Sequence, residues 1–164
     1  MTIRVGINGF GRMGKLALRA AWDSPELEIV HVNDPRGGVA CAAHLLEFDS
    51  VHGRWPHAVS TGESDFSVDG RTIGFSEQSA PDAVNWAALG VDIVLECSGK
   101  YRSTDTLQPF FDTGAKKVIV ACPVKTRNTK GTSSSNTSLF ARTVSEPLSF
   151  LPLTLKVRST LVSL

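Results

Sequence analysis

Long apolar runs and a strong net charge are both missing from this sequence of 164 residues. It contains no eighteen consecutive apolar residues, and its start, Met1-Thr2-Ile3, lacks a basic segment followed by an apolar core. We therefore expect neither a transmembrane helix nor a secretory signal. The net charge of +1 gives no overall basic field for nucleic acid or an anionic membrane. These absences favour a cytoplasmic protein with no nucleic-acid or membrane partner.

Cysteine is also scarce. Cys41, Cys97 and Cys122 are odd in number and lack metal-ligand or Cys-x-x-Cys spacing. This argues against a disulfide framework and against a structural metal site. We predict that all three are small, reduced, buried side chains.

Acidic residues are nearly absent from the end of the chain. Residues 126–164 hold eight Ser, seven Thr, five Lys or Arg and one acid, Glu146. This segment therefore carries a charge of +4 and leaves −3 for residues 1–125. We predict one folded domain over residues 1–125 and a disordered or non-native Ser/Thr-rich tail over residues 126–164. The alternative is a further strand or helix over residues 148–155.

Residues 1–125 alternate short apolar runs with helix-like stretches, which is typical of βαβ units. The apolar spacing in the first helix predicts a buried face of Met13, Leu16, Ala17, Ala20 and Ala21. Proline chemistry places Pro109 in the first turn of the third helix. Predicted strands are 5–7, 27–32, 91–97 and 118–122, predicted helices are 11–22, 39–48 and 105–113, and residues 66–75 form a hairpin turning at Asp69-Gly70. The predicted fold class is α/β, with a doubly wound, mainly parallel sheet.

A glycine-rich motif follows the first strand: Gly9-Phe10-Gly11-Arg12-Met13-Gly14. It matches Gly-x-Gly-x-x-Gly at the start of an amphipathic helix, where the motif binds dinucleotides. Gly9 permits the turn, Gly11 lets the backbone approach a pyrophosphate, and Gly14 lets the helix pack on the strand. The amides near Arg12 and Met13 then face phosphate, and the Arg12 guanidinium adds a charged donor.

Asp34 ends the second strand twenty residues after Gly14. An acid at this spacing accepts hydrogen bonds from the adenosine ribose and repels a 2′-phosphate, which favours NAD over NADP. Arg36 offsets part of that repulsion. The alternative is a glycine-rich turn in another kind of α/β protein, with Asp34 only turning the chain before Pro35.

Four segments together resemble the amino-terminal domain of the glyceraldehyde-3-phosphate dehydrogenase family. The resemblance covers about residues 1–125 and implies a Rossmann domain that binds NAD. Members of this family are homotetramers, and the catalytic domain that forms much of that assembly lies outside the resemblance. The segments are Val5-Gly6-Ile7-Asn8-Gly9-Phe10-Gly11-Arg12-Met13-Gly14, His44-Leu45-Leu46-Glu47-Phe48-Asp49-Ser50-Val51-His52-Gly53, Glu96-Cys97-Ser98-Gly99-Lys100-Tyr101 and Gly114-Ala115-Lys116-Lys117-Val118-Ile119-Val120.

The same resemblance implies the cofactor contacts. Ser98 and Gly99 are expected beside the nicotinamide half, and the remaining contacts are Gly9, Phe10, Gly11, Arg12, Met13, Gly14 and Asp34. The segment 75–81 departs from the family pattern, which puts a contact from that loop to the adenine in doubt. Ala121-Cys122-Pro123 also departs from it and resembles the branch associated with arsenic resistance, which implies arsenate in place of phosphate.

The family's chemistry requires a cysteine thiolate in a Ser-Cys-Thr-Thr-Asn segment, and these 164 residues contain no such segment. No catalytic residue is therefore assigned. The composition of residues 126–164 is what a frameshifted or truncated gene would leave. The predicted function is the NAD-binding domain of an inactive dehydrogenase-like protein, and the alternative is a stand-alone dinucleotide-binding or sensing module.

Overall fold

The computed structural model describes residues 2–123 and 142–144 of the chain. Its strands are β1 (Ile3–Asn8), β2 (Leu27–Asn33), β3 (Phe48–Asp49), β4 (Gly53–Arg54), β5 (Val59–Thr61), β6 (Asp65–Val68), β7 (Arg71–Ser76), β8 (Ile93–Glu96), β9 (Lys117–Val120) and β10 (Arg142–Val144). Its helices are α1 (Arg12–Ala21), α2 (Gly38–Glu47) and α3 (Thr104–Asp112), with a 3-10 turn at Pro81–Ala83.

A single eight-stranded sheet forms the centre of the described structure, in the order β10-β9-β8-β1-β2-β7-β6-β5. The strands β9, β8, β1, β2 and β7 run parallel, and β10, β6 and β5 add antiparallel edges. The chain leaves β1 toward β2 on one side and later returns to β8 on the other. This is the doubly wound, mainly parallel sheet that the sequence predicts.

The two faces of the sheet carry separate hydrophobic cores, because neighbouring residues of a strand point to opposite faces. Val5 and Ile7 of β1 pack in the core that contains Leu18 of α1. Gly6, between them, faces Trp86, and a Cβ added at Gly6 would lie 2.6 Å from the Trp86 ring. The second core around Trp86 contains the buried side chains of α3. Helices therefore cover both faces.

The buried face predicted for α1 is wrong, because the helix is rotated about its axis relative to that prediction. Met13 is 52% exposed, whereas Leu18 and Trp22 are buried. Gly14 fixes this rotation, because a Cβ there would collide with the Gly9 carbonyl oxygen. The helix turns the hydrogen of Gly14 toward β1, and residues at steps of four from Gly14 follow it into the core.

The expected position of Pro109 is also wrong, because α3 begins at Thr104 and places Pro109 well inside the helix. The helix continues past the missing amide since Leu107 and Phe110, on either side of it, are fully buried. At the amino end, the Thr106 hydroxyl accepts a hydrogen bond from the Ser103 amide at 3.1 Å. Packing and capping therefore outweigh the cost of an interior proline.

The predicted hairpin over residues 66–75 is present as β6 and β7, with its turn at Asp69 and Gly70, both at positive φ. The short strands β3, β4 and β5 were not predicted. In the predicted tail the structure describes only Arg142–Val144, which pairs antiparallel with β9, and residues 148–155 lie outside the described residues. Within the described ranges, no helix has the length and apolar character needed to cross a bilayer.

Candidate functional site

A cleft of about 440 Å³ lies at the carboxyl ends of the parallel strands. Its walls come from the segments that follow β1, β2 and β8. The chain turns toward β2 on one side of β1 and toward β8 on the other, so this is the point at which the strand order reverses. Open α/β sheets bind their ligands at such a switch point. The cleft is therefore the candidate site.

The three motif glycines have distinct surroundings. A Cβ added at Gly9 would lie 2.6 Å from the Ser98 Cα, and Gly9 has a φ of +91°, so only glycine fits this turn. A Cβ added at Gly14 would collide with the Gly9 carbonyl oxygen, so glycine is needed where α1 packs against the end of β1. Gly11 has no atom within 4 Å of an added Cβ and opens into the cleft. Of the three, Gly11 leaves room for a ligand.

The amino end of α1 faces this space. The first hydrogen bond of the helix joins the Lys15 amide to the Gly11 carbonyl oxygen at 3.1 Å. The amides of residues 12–14 precede it and have no helical carbonyl to bond. Such free amides, at the positive end of the helix dipole, form an anion-binding site.

Asp34 joins the segment after β2 to the glycine-rich loop. Its Oδ2 accepts a hydrogen bond from the Phe10 amide at 2.6 Å, and its Oδ1 accepts one from the Arg36 amide at 3.0 Å. The second bond turns the chain after Pro35, so the turn-forming alternative describes part of what Asp34 does. A carboxylate has about four acceptor sites, and two of them stay available to a ligand hydroxyl.

The Phe10 side chain is buried and packs against Phe66, with 5.8 Å between ring centroids. Its backbone lines the cleft, and its amide is held by Asp34. Phe10 therefore anchors the loop through its ring and its amide.

Three basic side chains that line the cleft are Lys15, Arg36 and Lys100. Partial burial lowers the pKa of Lys15, while the nearby Cys41, Asp34 and Asp49 act in the opposite direction. The Lys15 ammonium lies 6.0 Å from the Phe10 ring centroid. These cations complement an anionic ligand at the amino end of α1. Lys15 was missed by the sequence analysis, although it is a basic residue in the first turn after the motif.

The wall after β8 is fixed by hydrogen bonds. The Ser98 hydroxyl accepts one from the Lys100 amide at 3.2 Å, and the Gly99 carbonyl oxygen accepts one from Arg102 Nε at 2.6 Å. The Tyr101 hydroxyl donates to the Ser79 carbonyl oxygen at 3.2 Å. This last bond ties the segment after β8 to the loop after β7. Gln78 and Ser79 of that loop line the cleft, in the stretch whose departure from the family pattern had put a contact in doubt.

The cysteines do not all occupy the buried positions predicted for them. Cys41 is exposed and lines the cleft, because α2 presents it there, and Cys97 and Cys122 are partly buried. Burial, together with the charge of Glu96, raises the pKa of Cys97 to about 12. A thiol with that pKa is protonated at neutral pH and is a poor nucleophile. Among the described residues that line the cleft, none is a histidine.

The structure thus brings five of the nine predicted cofactor-binding residues to the lining of one cleft. Arg12 and Met13 are exposed at the start of α1, Gly14 packs beneath the loop, and Gly99 lies just past Ser98; none of these four lines the cleft itself. The five are Gly9, Phe10, Gly11, Asp34 and Ser98. Lining residues that the sequence analysis did not assign to the cofactor include Asn8, Lys15, Asn33, Gln78, Ser79, Lys100 and Tyr101.

Comparisons with a family model and with curated proteins point to the same family. Residues 3–104 match the family described as "Glyceraldehyde 3-phosphate dehydrogenase, NAD binding domain". Glyceraldehyde-3-phosphate dehydrogenase 3 of Nostoc sp. is 61% identical over 125 residues, which are 76% of this chain and 37% of that protein. Glyceraldehyde-3-phosphate dehydrogenase 1 of Kluyveromyces lactis is 43% identical over 124 residues, 76% of this chain and 38% of that protein. The chain therefore spans somewhat more than a third of the length of these curated relatives.

Proposed function

The chain belongs to the glyceraldehyde-3-phosphate dehydrogenase family, as the NAD-binding domain of such a protein, and from this premise we propose that its cleft binds NAD. The observation that carries the proposal is the open space at Gly11, beside the free amides of α1. A pyrophosphate placed there meets backbone donors, the helix dipole and the Lys15 ammonium.

The adenosine ribose is proposed to bind at Asp34, whose carboxylate already lines the cleft. Its free acceptor sites suit the two ribose hydroxyls of NAD, whereas the 2′-phosphate of NADP would bring a second negative charge to a carboxylate. Arg36 also lines the cleft and reduces this repulsion. We therefore propose a preference for NAD over NADP, and we assign the nicotinamide half to the side of the cleft at Ser98 and Gly99.

Calorimetric titration of the 164-residue chain with NAD and with NADP tests the binding proposal. We expect weak binding of NAD, because these 164 residues enclose the phosphate and ribose half more fully than the nicotinamide half. Binding of NADP should be weaker still, because its 2′-phosphate would meet the Asp34 carboxylate. Circular dichroism of the same sample establishes that the chain is folded. A folded chain that gives no heat at millimolar NAD would remove the assignment of the cleft.

The activity proposed for a protein that carries this domain together with a catalytic cysteine is oxidation of an aldehyde with phosphate or arsenate. The names of the relatives support an aldehyde phosphate as substrate, and the departure at Ala121-Cys122-Pro123 supports arsenate. Hydride transfer in this scheme requires a thiolate that first adds to the aldehyde. The role of the NAD-binding domain is to hold the cofactor and to exclude competing orientations.

A polypeptide of these 164 residues is proposed to bind NAD without turnover, because it contains no Ser-Cys-Thr-Thr-Asn segment and its Cys97 thiol is protonated. Absorbance at 340 nm with glyceraldehyde 3-phosphate and either anion should stay flat. NADH formation that survives removal of host enzyme and is lost in Cys97→Ser or Cys122→Ser would contradict this proposal and would identify a new nucleophile.

A further inference from the structure

Glu96, the last residue of β8, is a fully buried acid directly behind the cleft. Its Oε2 accepts a hydrogen bond from Asn8 Nδ2 at 2.5 Å. Its Oε1 accepts one from the Ser98 amide at 2.8 Å and another from the Ser98 hydroxyl. Asn8 directly precedes the glycine-rich loop, and Ser98 forms the opposite wall. One carboxyl group therefore joins both walls of the cleft.

The direction of these hydrogen bonds is determined by the backbone of Gln78. Asn33 Oδ1 accepts from the Gln78 amide at 2.8 Å, and Asn33 Nδ2 donates to the Gln78 carbonyl oxygen at 2.9 Å. A backbone amide only donates and a carbonyl only accepts, so the Asn33 side chain has one permitted orientation. Its Nδ2 also donates to Asn8 Oδ1 at 2.8 Å, which leaves Asn8 Nδ2 to face Glu96 as a donor.

Both oxygens of Glu96 therefore meet donors that cannot reverse: the Asn8 amide group on one side and the Ser98 backbone on the other. A carboxyl group places one acceptor oxygen on each side, whereas a side-chain amide has only one such oxygen. Burial raises the pKa of Glu96, while the hydrogen bonds from Ser98 and Asn8 act against that rise. A buried donor left without an acceptor costs free energy, so the hydrogen bonds that Glu96 accepts offset part of the cost of burying this acid.

We propose that Glu96 is a positioning residue for the dinucleotide: as the terminal acceptor of the chain Gln78–Asn33–Asn8–Glu96–Ser98, it holds the glycine-rich loop and the Ser98 wall at a fixed separation. The proposal rests on the proposed binding of NAD in this cleft. Glu96 does not line the cleft and acts through Asn8 and Ser98, which do. Replacing one acceptor oxygen of Glu96 with a donor should therefore weaken NAD binding without removing any group that faces the ligand.

The first test is Glu96→Gln in the 164-residue chain. The introduced amide supplies one oxygen for Ser98 but presents a donor to the Asn8 donor. We expect NAD affinity to fall about tenfold, the size of one lost hydrogen bond to a charged group. The matched control is Glu26→Gln, because Glu26 is exposed and directly precedes the amino end of β2, away from the cleft. Equal affinity of Glu96→Gln and the unsubstituted chain would overturn the proposal.

The second test restores the chain of hydrogen bonds, with only the bond between residues 8 and 96 reversed in direction. Asn8→Asp combined with Glu96→Gln places a carboxylate where it accepts from Asn33 Nδ2 and from the introduced glutamine amide, while the glutamine oxygen accepts from Ser98. Affinity should return to within about threefold of the unsubstituted chain, since every donor again has an acceptor. A double variant that folds but binds no better than Glu96→Gln would contradict the positioning role.

Asn8→Asp alone provides a pH profile that a general loss of packing would not produce. Two carboxyl groups would then face each other, which raises the pKa of one of them. Such a group destabilises the folded state when ionised, so both NAD affinity and the midpoint of thermal unfolding should increase as the pH falls from 8 to 5. The double variant should lack this dependence. A flat profile for Asn8→Asp would also overturn the proposal.

Other titratable groups near Glu96 do not obscure the effect of Asn8→Asp between pH 5 and pH 8. Burial, with the charge of Glu96 as a second cause, raises the pKa values of Cys97 and Tyr101, which therefore stay protonated between pH 5 and 8. Burial lowers the pKa of His31, which is linked to Asn33 through Ser76; its contribution is subtracted by measuring the unsubstituted chain over the same range. The unfolding profiles need no ligand, so an unsubstituted chain that binds no NAD refutes the proposed function, whereas flat profiles refute the role of Glu96.

Discussion

Gly11 and Gly14 belong to one sequence motif but are required for different reasons, and two substitutions separate them. Gly11 has a φ of −70°, which any residue can adopt, and open space around it. Gly11→Val should therefore leave folding intact and reduce NAD binding by tenfold or more, because its methyl groups would stand where phosphate approaches the backbone. Calorimetry measures the affinity, and circular dichroism measures the fold.

Gly14→Ala is the contrasting variant. Its Cβ would collide with the Gly9 carbonyl oxygen and lie 3.3 Å from Ile7 Cγ2. We expect a lower midpoint of thermal unfolding for Gly14→Ala and an unchanged one for Gly11→Val. Gly11→Val with the NAD affinity of the unsubstituted chain would place the pyrophosphate elsewhere.

The proposed preference for NAD over NADP rests on Asp34, so substitutions of this residue test it. Asp34→Ala should cost NAD binding roughly 1 to 3 kcal/mol, the range for a lost hydrogen bond to a charged group, and should narrow the preference over NADP. Since the substitution also releases the Phe10 amide, Asp34→Asn is the matched variant, because its side-chain oxygen can keep that one bond. Titrating both cofactors against all three chains measures the ratio. A ratio that does not change would remove Asp34 from the ribose site.

At the scale of elements, the β6–β7 hairpin is held to the loop before β5 by hydrogen bonds to the Asp69 carboxylate. His57 Nδ1 lies 2.6 Å from Asp69 Oδ2, and the Ala58 amide donates to Asp69 Oδ1 at 2.9 Å. The hydrogen bond from His57 is the main cause that lowers the pKa of Asp69, followed by that from Ala58. An acid with a lowered folded-state pKa stabilises the fold above its unfolded pKa of about 4 and loses that contribution as the pH falls further.

Asp69→Asn should therefore lower the midpoint of thermal unfolding at pH 7, and the difference from the unsubstituted chain should shrink as the pH falls below about 4. Asparagine tolerates the positive φ of this turn, so the comparison isolates the charge. Asp23→Asn, at an exposed position, is the control. A difference that persists undiminished at the lowest pH would mean that the charge of Asp69 does not hold the hairpin.

The order of elements could be predicted from the sequence, because apolar runs and glycine turns mark strands and loops directly. The rotation of α1 could not, since it depends on Gly14 meeting the Gly9 carbonyl group, a contact between two turns of backbone. The interior position of Pro109 likewise depends on the burial of Leu107 and Phe110 from both sides. Periodicity within a helix describes its own residues, whereas these outcomes depend on what the helix packs against.

The candidate site shows the same division. Gly9, Gly11 and Asp34 could be found because their chemistry follows a spacing along the chain. Glu96 could not be assigned a role, since its partners are about ninety residues earlier in the sequence or belong to its own turn. Only the pairing of β8 beside β1 brings Asn8 and Glu96 together.

At the scale of the whole molecule, the cleft joins the two halves of the doubly wound sheet. The β2 and β7 side supplies Asp34 and Gln78, and the β8 side supplies Ser98 and Tyr101. The hydrogen bond from Tyr101 to Ser79 and the chain that ends at Glu96 cross between these halves. We therefore expect the cleft to be formed before a ligand arrives.

The central claim is that NAD binds in this cleft. Titration of the ¹⁵N-labelled chain with NAD, followed through the chemical shifts of its backbone amides, tests it most directly. We expect the perturbed amides to cluster at residues 9–15, 34–37 and 98–100, and Gly11→Val should abolish the shifts of the first group at the same NAD concentration. Amides of β4 and β5, which lie away from the cleft, should stay unchanged. Saturable shifts confined to a surface outside the cleft, or none in a folded chain, would contradict this claim.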